Sequence, residues 1–159
     1  MPHIKHIGEK KQVHHQAVQL EKLLCQQIAT LKDYKAYESI VKGPLLSAAK
    51  LGVKEVVEQI LGSFPDAVWF SDDGSRFVFE LAILHRQEKV FNIIYQMDLC
   101  KHLLSHRFDK EKNNMLHLAG RLAPPSRLNL SPGAALQMQR ELQWFKVINS
   151  FQFDLMIIL

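Results

Sequence analysis

Apolar residues recur at helical intervals in several short segments of the chain. Between Gly43 and Gly62, the i, i+3, i+4, i+7, i+8 pattern of a one-sided helix is formed by Val53, Val56, Val57, Ile60 and Leu61. A shorter helix is predicted before it, because Pro44 suits a first turn and Gly52 can adopt the positive φ that ends a helix. So short a pair cannot bury its own apolar face, and the pattern therefore predicts further copies beside it.

These positions recur along the chain at a nearly constant spacing. Counting 34 residues from Ala48 gives Ala82, and a third start, NNMLHLAG, lies 37 residues further on. We expect the helix contacts and turns at a proline, several small or apolar residues and one histidine: Pro44, Ala48, Ala49, Gly52, Ala82, Leu116, His117 and Ala119. The chain is therefore predicted to be all-α, with about three repeated helix pairs.

The repeated segments resemble a known family. GPLLSAAKLG and LHLA are similar to the core of the ankyrin repeat. The stretches FPDAVWFSDDGSRFVFELAILHRQEKVFNIIYQM and EKNNMLHLAGRLAPPSRLNLSPGAALQMQRELQWFK resemble the plant ankyrin-repeat proteins that end in a membrane-spanning PGG domain. This resemblance reaches Lys146 and implies an ankyrin-repeat solenoid with an N-terminal helical cap. The chain is expected to be a fragment that lacks the PGG domain.

The resemblance also implies a function. Members of that family present their repeats to the cytosol and work at cellular membranes in signalling and stress responses. The chain is accordingly expected to be a cytoplasmic, non-catalytic module that binds an unidentified protein partner. Membrane-surface association through an apolar C-terminal helix and tail is the alternative.

The pattern divides the chain into three parts. Residues 1–42 are predicted to form a lead and a helical cap, and residues 43–148 the repeats, with an inserted loop at 124–132. Residues 149–159 carry one charge and no stop signal, and are expected to lie outside the fold. An interfacial or partner-binding tail is the other interpretation of this segment.

Three further helices are predicted outside the repeat cores. Two belong to the cap, over residues 10–31 and 34–41, and the first presents one apolar stripe. The third follows the inserted loop, where Ser131 and Pro132 form a helix start. Its predicted apolar stripe consists of Ala135, Met138, Leu142, Phe145 and Ile148, and Trp144 joins it near the end.

Composition and charge exclude several classes of protein. The chain is 47% apolar with a net charge of +4, and no block holds five or six like charges. Without a basic stripe interleaved with aromatic residues, nucleic-acid binding is not expected. No apolar run approaches the length of a membrane helix, and the polar first 30 residues carry no secretory signal. Cys25 and Cys100 are expected to be reduced thiols, with a disulfide as the alternative.

Candidate catalytic chemistry is sparse. His102 and His106 have the i, i+4 spacing of a zinc-binding helix but no evident third ligand, so surface histidines are favoured. By the resemblance, His117 is the repeat's structural histidine, which bonds loop backbone. The chain has neither phosphate-binding glycine motif, nor a recognisable nucleophile motif beside this histidine. We therefore expect no enzyme activity, no small-molecule substrate, no cofactor and no metal.

The resemblance also indicates where a partner protein is expected to bind. Ankyrin-type repeats usually bind through the tips of their finger-like turns and the inner face of their first helices. The tip residues are Ser71, Asp73, Arg76, Lys110, Glu111 and Lys112. The inner-face residues are Lys50, Leu51, His85 and Arg121. For each of them, a solvated surface side chain is the simpler interpretation.

Overall fold

A computed structural model describes residues 34–97, 100–130 and 132–156, with four isolated helical positions at Gln19, Lys22, Leu23 and Gln26. Within these residues the chain is helical, and its only extended pairing is one isolated bridge between Ser71 and Phe77. The all-α prediction is confirmed for this part of the chain.

Eight α-helices follow one another in the described ranges. They are α1 (Tyr34–Leu51), α2 (Lys54–Ser63), α3 (Val78–Leu84), α4 (Glu88–Phe91), α5 (Cys100–Ser105), α6 (Met115–Gly120), α7 (Pro125–Leu128) and α8 (Ala134–Met156). Two 3-10 turns, Pro65–Trp69 and Asn92–Gln96, follow α2 and α4. Of the predicted helix over residues 10–31, the structure describes only the four helical positions named above, and the pairing of the two cysteines lies outside the described residues.

The helices form two layers. In the first, α3 lies between α1 and α6 and packs against both. In the second, α2 packs against α1 and α4, and α8 packs against α6 and α5. Residues 78–83 of α3 are all buried, because a helix between two neighbours has no face left for solvent. Small side chains are buried along the first layer, at Ala48, Ala49, Ala82 and Ala119.

The turn at Gly52 is as predicted. Gly52 has a φ of +82°, and the N–H groups of Gly52 and Val53 donate to the carbonyl of Ala48 at 2.8 and 3.0 Å. Thirty-four residues later, Arg86 has a φ of +56° and the N–H of Gln87 donates to the carbonyl of Ala82 at 2.8 Å. A Cβ on Gly52 would lie 2.1 Å from Oε1 of Gln87, so this turn favours glycine for space as well as for its φ.

The predicted break between a cap helix and a repeat helix is wrong. α1 runs without interruption through Pro44, which lies inside the helix and is exposed. Val41 and Leu45 are buried on the face that continues to Ala48 and Ala49. Burial of that continuous stripe offsets the backbone hydrogen bond that proline cannot donate. The predicted boundary at residues 42 and 43 therefore falls inside α1.

The predicted stripe of α8 is also wrong, except at Trp144 and Ile148. Met138 is 74% exposed, and Ala135, Leu142 and Phe145 are exposed as well. The buried residues are Trp144, Ile148 and Phe151. At 3.6 residues per turn, this face lies about 100° around the helix from the predicted one.

Aromatic contacts explain the orientation of α8. The ring of Phe91 lies 5.9 Å from Trp144 and 5.3 Å from Phe151, and Tyr95 lies 5.4 Å from Phe151. Edge-to-face pairs at these distances add to the energy of burial. Only the face that carries Trp144 and Phe151 can meet these rings.

The segment after residue 148 continues α8. The helix extends to Met156, and Phe151 is 3% exposed. The expectation that residues 149–159 lie outside the fold is therefore wrong for the helical part, and residues 157–159 lie outside the described residues. Among the described helices, none is long and apolar enough to cross a membrane.

Candidate functional site

A tight turn precedes α3. This turn, residues 71–77, is here called the first finger. The Oδ1 oxygen of Asp72 accepts from the N–H groups of Gly74 and Arg76 at 2.9 and 3.0 Å. The guanidinium of Arg76 closes the turn on the other carboxylate oxygen, with Nη2 at 3.0 Å. Burial would raise the pKa of Asp72, but the hydrogen bonds and charge of Arg76 outweigh it and lower the pKa below its usual 3.8.

A second finger, residues 108–114, precedes α6 and repeats this geometry 37 residues later. Asp109 Oδ1 accepts from the N–H groups of Glu111 and Asn113 at 2.9 and 2.8 Å. The amide of Asn113 takes the place of the Arg76 guanidinium, at 3.0 Å from each carboxylate oxygen. Burial would raise the pKa of Asp109, but the hydrogen bonds from Asn113 and Glu111 lower it.

The two fingers lie next to each other and are joined through the backbone. The N–H of Lys110 donates to the carbonyl of Gly74 at 2.9 Å. Ser75 and Lys112, also 37 residues apart, both have a left-handed backbone, with φ values of +60° and +61°. The turns thus share hydrogen bonds, backbone conformation and spacing, although their sequences differ.

A side chain three residues into each helix closes the base of its finger. Glu80 Oε2 accepts from the N–H of Phe77 at 2.8 Å, and His117 Nδ1 accepts from the N–H of Asn114 at 3.2 Å. These are equivalent positions, and both side chains satisfy an N–H at a helix start. His117 therefore bonds the backbone at the start of its own helix, and its side chain is exposed rather than half-buried between repeats.

Between α1 and the first finger runs a groove of about 500 Å³, here called the finger groove. Its α1 wall presents lysines, serines, one glutamate, one glycine and one leucine, and its other wall presents two aspartates: Lys35, Glu38, Ser39, Lys42, Gly43, Leu46, Ser47, Lys50, Asp72 and Asp73. Charges of both signs therefore face one another across an open channel.

Positive charge continues past the end of α1. His85, the residue after α3, is half-buried, and its pKa is lowered from the usual 6.5 by burial first. Nearby positive charges lower this pKa further, those of Lys50, Arg76 and Arg127. We conclude that His85 favours the neutral form within a cationic surface.

The structure brings together some of the residues predicted at the tips and inner face. Lys50 and Asp73 line the finger groove, whereas Leu51 is exposed and does not. Ser71 forms the bridge with Phe77, and Lys110 and Lys112 are exposed on the second finger. Glu111 and Arg121 form an ion pair with each other.

Sequence reasoning missed most of the groove, because only Lys50 and Asp73 of its ten lining residues were predicted to bind a partner. Lys35 was not identified, because residues 34–41 were assigned to a separate cap helix, and the predicted break before Pro44 left Lys42 between two helices. Once α1 is continuous, a spacing of seven and then eight residues places Lys35, Lys42 and Lys50 along one side of it. That spacing is the signal that could have found them.

His102 lies on α5 and His106 directly follows this helix, and their contacts are local. His106 Nδ1 lies 2.8 Å from the carbonyl oxygen of His102, and the hydroxyl of Ser105 donates to the same carbonyl at 2.8 Å. In the ranges that the structure describes, no group of three or more His, Cys, Asp or Glu residues is placed to hold a metal ion.

No protein-family model, curated protein or solved structure significantly matches this chain. Interpretation of the groove therefore rests on the residues and their geometry.

Proposed function

We propose that this chain is an ankyrin-type repeat array that binds another protein in the finger groove and along the two fingers, without catalysing a reaction. The observation that carries the proposal is the pair of fingers. Asp72 and Asp109 organise turns of one geometry 37 residues apart, and a main-chain hydrogen bond of 2.9 Å joins them. Side-by-side copies of one helix and turn unit are typical of repeat proteins, whose concave surfaces bind partners.

The chemistry of the groove favours a polypeptide as the ligand. Lys42 and Lys50 on one wall face Asp72 and Asp73 on the other, and Ser47 adds a neutral donor and acceptor. A protein segment carries both charges and both hydrogen-bonding groups, and can match such a surface. Because each finger is held by its own carboxylate, little ordering entropy is lost when a partner binds.

The cellular context is a separate part of the proposal. The resemblance to the PGG-domain family supports a cytosolic role in a membrane-linked plant signalling protein. This part of the proposal rests on the resemblance of the repeated segments alone.

Site-directed photo-crosslinking tests the groove directly. A photoreactive amino acid replaces Ser47, which lines the finger groove and is exposed, or Glu55, which is exposed on α2. Irradiation in an extract of the source cells should attach a discrete protein at position 47 and not at position 55. Equal labelling at both positions, or none at position 47, would contradict the proposed site.

A charge-matched pair of variants provides the quantitative test. Lys42→Gln with Lys50→Gln removes two charges from the groove, and Lys54→Gln with Lys89→Gln removes two from the second layer. The first pair should weaken binding of the crosslinked partner by about thirtyfold or more, since each charge buried by a partner contributes about 1 kcal/mol or more. The second pair should leave it unchanged. Arg76 is unsuitable, because it also holds the first finger closed.

One observation favours a second candidate, association with a membrane surface. The outer side of α8 presents Met138, Leu142 and Phe153 to solvent, and Lys146 is exposed on the same helix. An apolar face with nearby cations is the pattern of a helix that lies on anionic lipid. Co-sedimentation of the parent protein with phosphatidylserine vesicles, lost in Met138→Ser with Leu142→Ser, would support this candidate. Co-sedimentation that is unchanged in the double variant would contradict it.

A further inference from the structure

A second cleft, of about 460 Å³, lies away from the finger groove. It opens between the start of α4, the short helix α7 and α8, and shares no lining residue with the groove. Its polar lining residues include four cations and two carboxylates: Arg86, Arg127, Arg140, Lys146, Glu88 and Glu141. The cleft is thus surrounded by more positive than negative charge.

The floor of this cleft is a fixed ion pair. Arg86 and Glu141 are joined by an Nη2 to Oε2 contact of 2.6 Å and by two Nε contacts of 3.2 Å. The same guanidinium donates to the carbonyls of Ile83 and Ala119, at 2.9 and 3.2 Å. The Arg86 side chain is 8% exposed. Its charge and that of Glu141 therefore offset each other, and the floor does not need a ligand to be stable.

One wall is built by the segment inserted between α6 and α8. Arg127 on α7 donates to the side-chain oxygen of Gln87, and the Gln87 amide donates to the carbonyl of Lys50 at 2.6 Å. This chain of contacts ties the insertion to α1 and to the turn after α3. In repeat proteins, insertions of this kind often provide the binding face.

The remaining charges determine what the cleft can accept. With Arg86 and Glu141 paired, the positive charges of Arg127 and Lys146 stand against the negative charge of Glu88. Trp144 also lines the cleft, and its buried indole N–H has no hydrogen-bond acceptor among the described residues. Donors therefore outnumber acceptors. We propose that this cleft binds an oxyanion, a phosphate or carboxylate group, which arginine and lysine donors recognise.

The two tryptophans provide a spectroscopic test. Trp69→Phe leaves Trp144 as the only tryptophan, so that its fluorescence reports on this cleft alone. The variant is titrated with inorganic phosphate and, separately, with glutarate, against chloride at matched ionic strength. A saturable change with either anion and none with chloride is expected, and the two titrations distinguish phosphate from carboxylate. A change with chloride of the same size, or no saturable change with either anion, would overturn the proposal.

Matched charge variants locate the site. Arg127→Gln with Lys146→Gln, made in the Trp69→Phe background, should raise the apparent Kd at least about tenfold, since each charged hydrogen bond lost is worth that much. Lys110→Gln with Lys112→Gln removes the same charge from the second finger and should leave the Kd unchanged. Equal loss in both would indicate general charge attraction and would overturn the site. If the Arg127 change loosens α7 in a thermal melt, Lys146→Gln alone should still raise the Kd by about tenfold.

Discussion

The carboxyl group of Glu80 gives the structure a measurable dependence on pH. It is 1% exposed, and only one of its oxygens has a hydrogen-bond donor, the N–H of Phe77 at 2.8 Å. Burial, together with the negative charges of Asp109 and Asp72, raises its pKa from the usual 4.5 to about 7, against the lowering effects of the Phe77 N–H and of Arg107. The folded protein therefore holds this proton more tightly than the unfolded chain does.

The sign of the effect follows from that difference. A raised pKa contributes stability that is fully present below pH 4.5 and is lost as the pH rises through about 7. At about 1.4 kcal/mol per pH unit, the loss amounts to about 3 kcal/mol. His85 acts in the opposite direction, because its lowered pKa gives stability as the pH rises through 6.5. The contribution of Glu80 must therefore be measured by difference.

Glu80→Gln isolates this contribution. The amide oxygen can still accept from Phe77, but no charge is buried when the pH rises. We expect the variant to gain up to about 3 kcal/mol over the parent at pH 8 and little at pH 4.5, measured by urea unfolding followed by circular dichroism. Glu55→Gln, on the exposed side of α2, should show the parent's pH dependence. An unchanged difference between pH 4.5 and pH 8 in Glu80→Gln would refute the reasoning.

Three further predictions test the packing. Ala82→Glu, at 0% exposure, should unfold the middle of the protein, because a buried unpaired charge costs several kcal/mol; a full helical signal with an unchanged melting temperature would contradict the buried position. Gly52→Ala should cost about 2 kcal/mol through its φ and the contact with Gln87, and Gly62→Ala, which meets nothing within 4 Å, serves as the control in urea unfolding. Phe151→Ala should cost about 3–5 kcal/mol, whereas Phe153→Ala should cost little, and equal melting of both variants would place the end of α8 outside the core.

The short repeat signals of the sequence were sufficient for part of the fold. Gly52 ends α1, and Ala48, Ala82 and Ala119 are buried at the expected spacing, because each depends on local backbone geometry or on side-chain size. Pro44 misled for a physical reason. Proline disfavours a helix interior by about 3 kcal/mol, and only the burial of Val41 and Leu45 on one continuous face explains why α1 runs through it. That burial is a tertiary effect.

The orientation of α8 could not be predicted from its own residues. Met138, Leu142 and Phe145 have helical spacing, as do Trp144, Ile148 and Phe151, so periodicity alone does not choose between the two faces. The choice is made by the rings of Phe91 and Tyr95, which are distant in sequence. The prediction of the finger groove was incomplete for a related reason, because its lysines lie on one side only when α1 is continuous.

The hydrogen bond between the two fingers uses only main-chain atoms, the N–H of Lys110 and the carbonyl of Gly74. Any residue except proline supplies the same N–H, so substitutions at position 110 can alter the surface without altering the distance between neighbouring turns. The outward side chains at these tips are consequently free to diverge while Asp72 and Asp109 hold the backbone. The charge and shape of this surface can therefore change through a few tip substitutions, with the helix packing untouched.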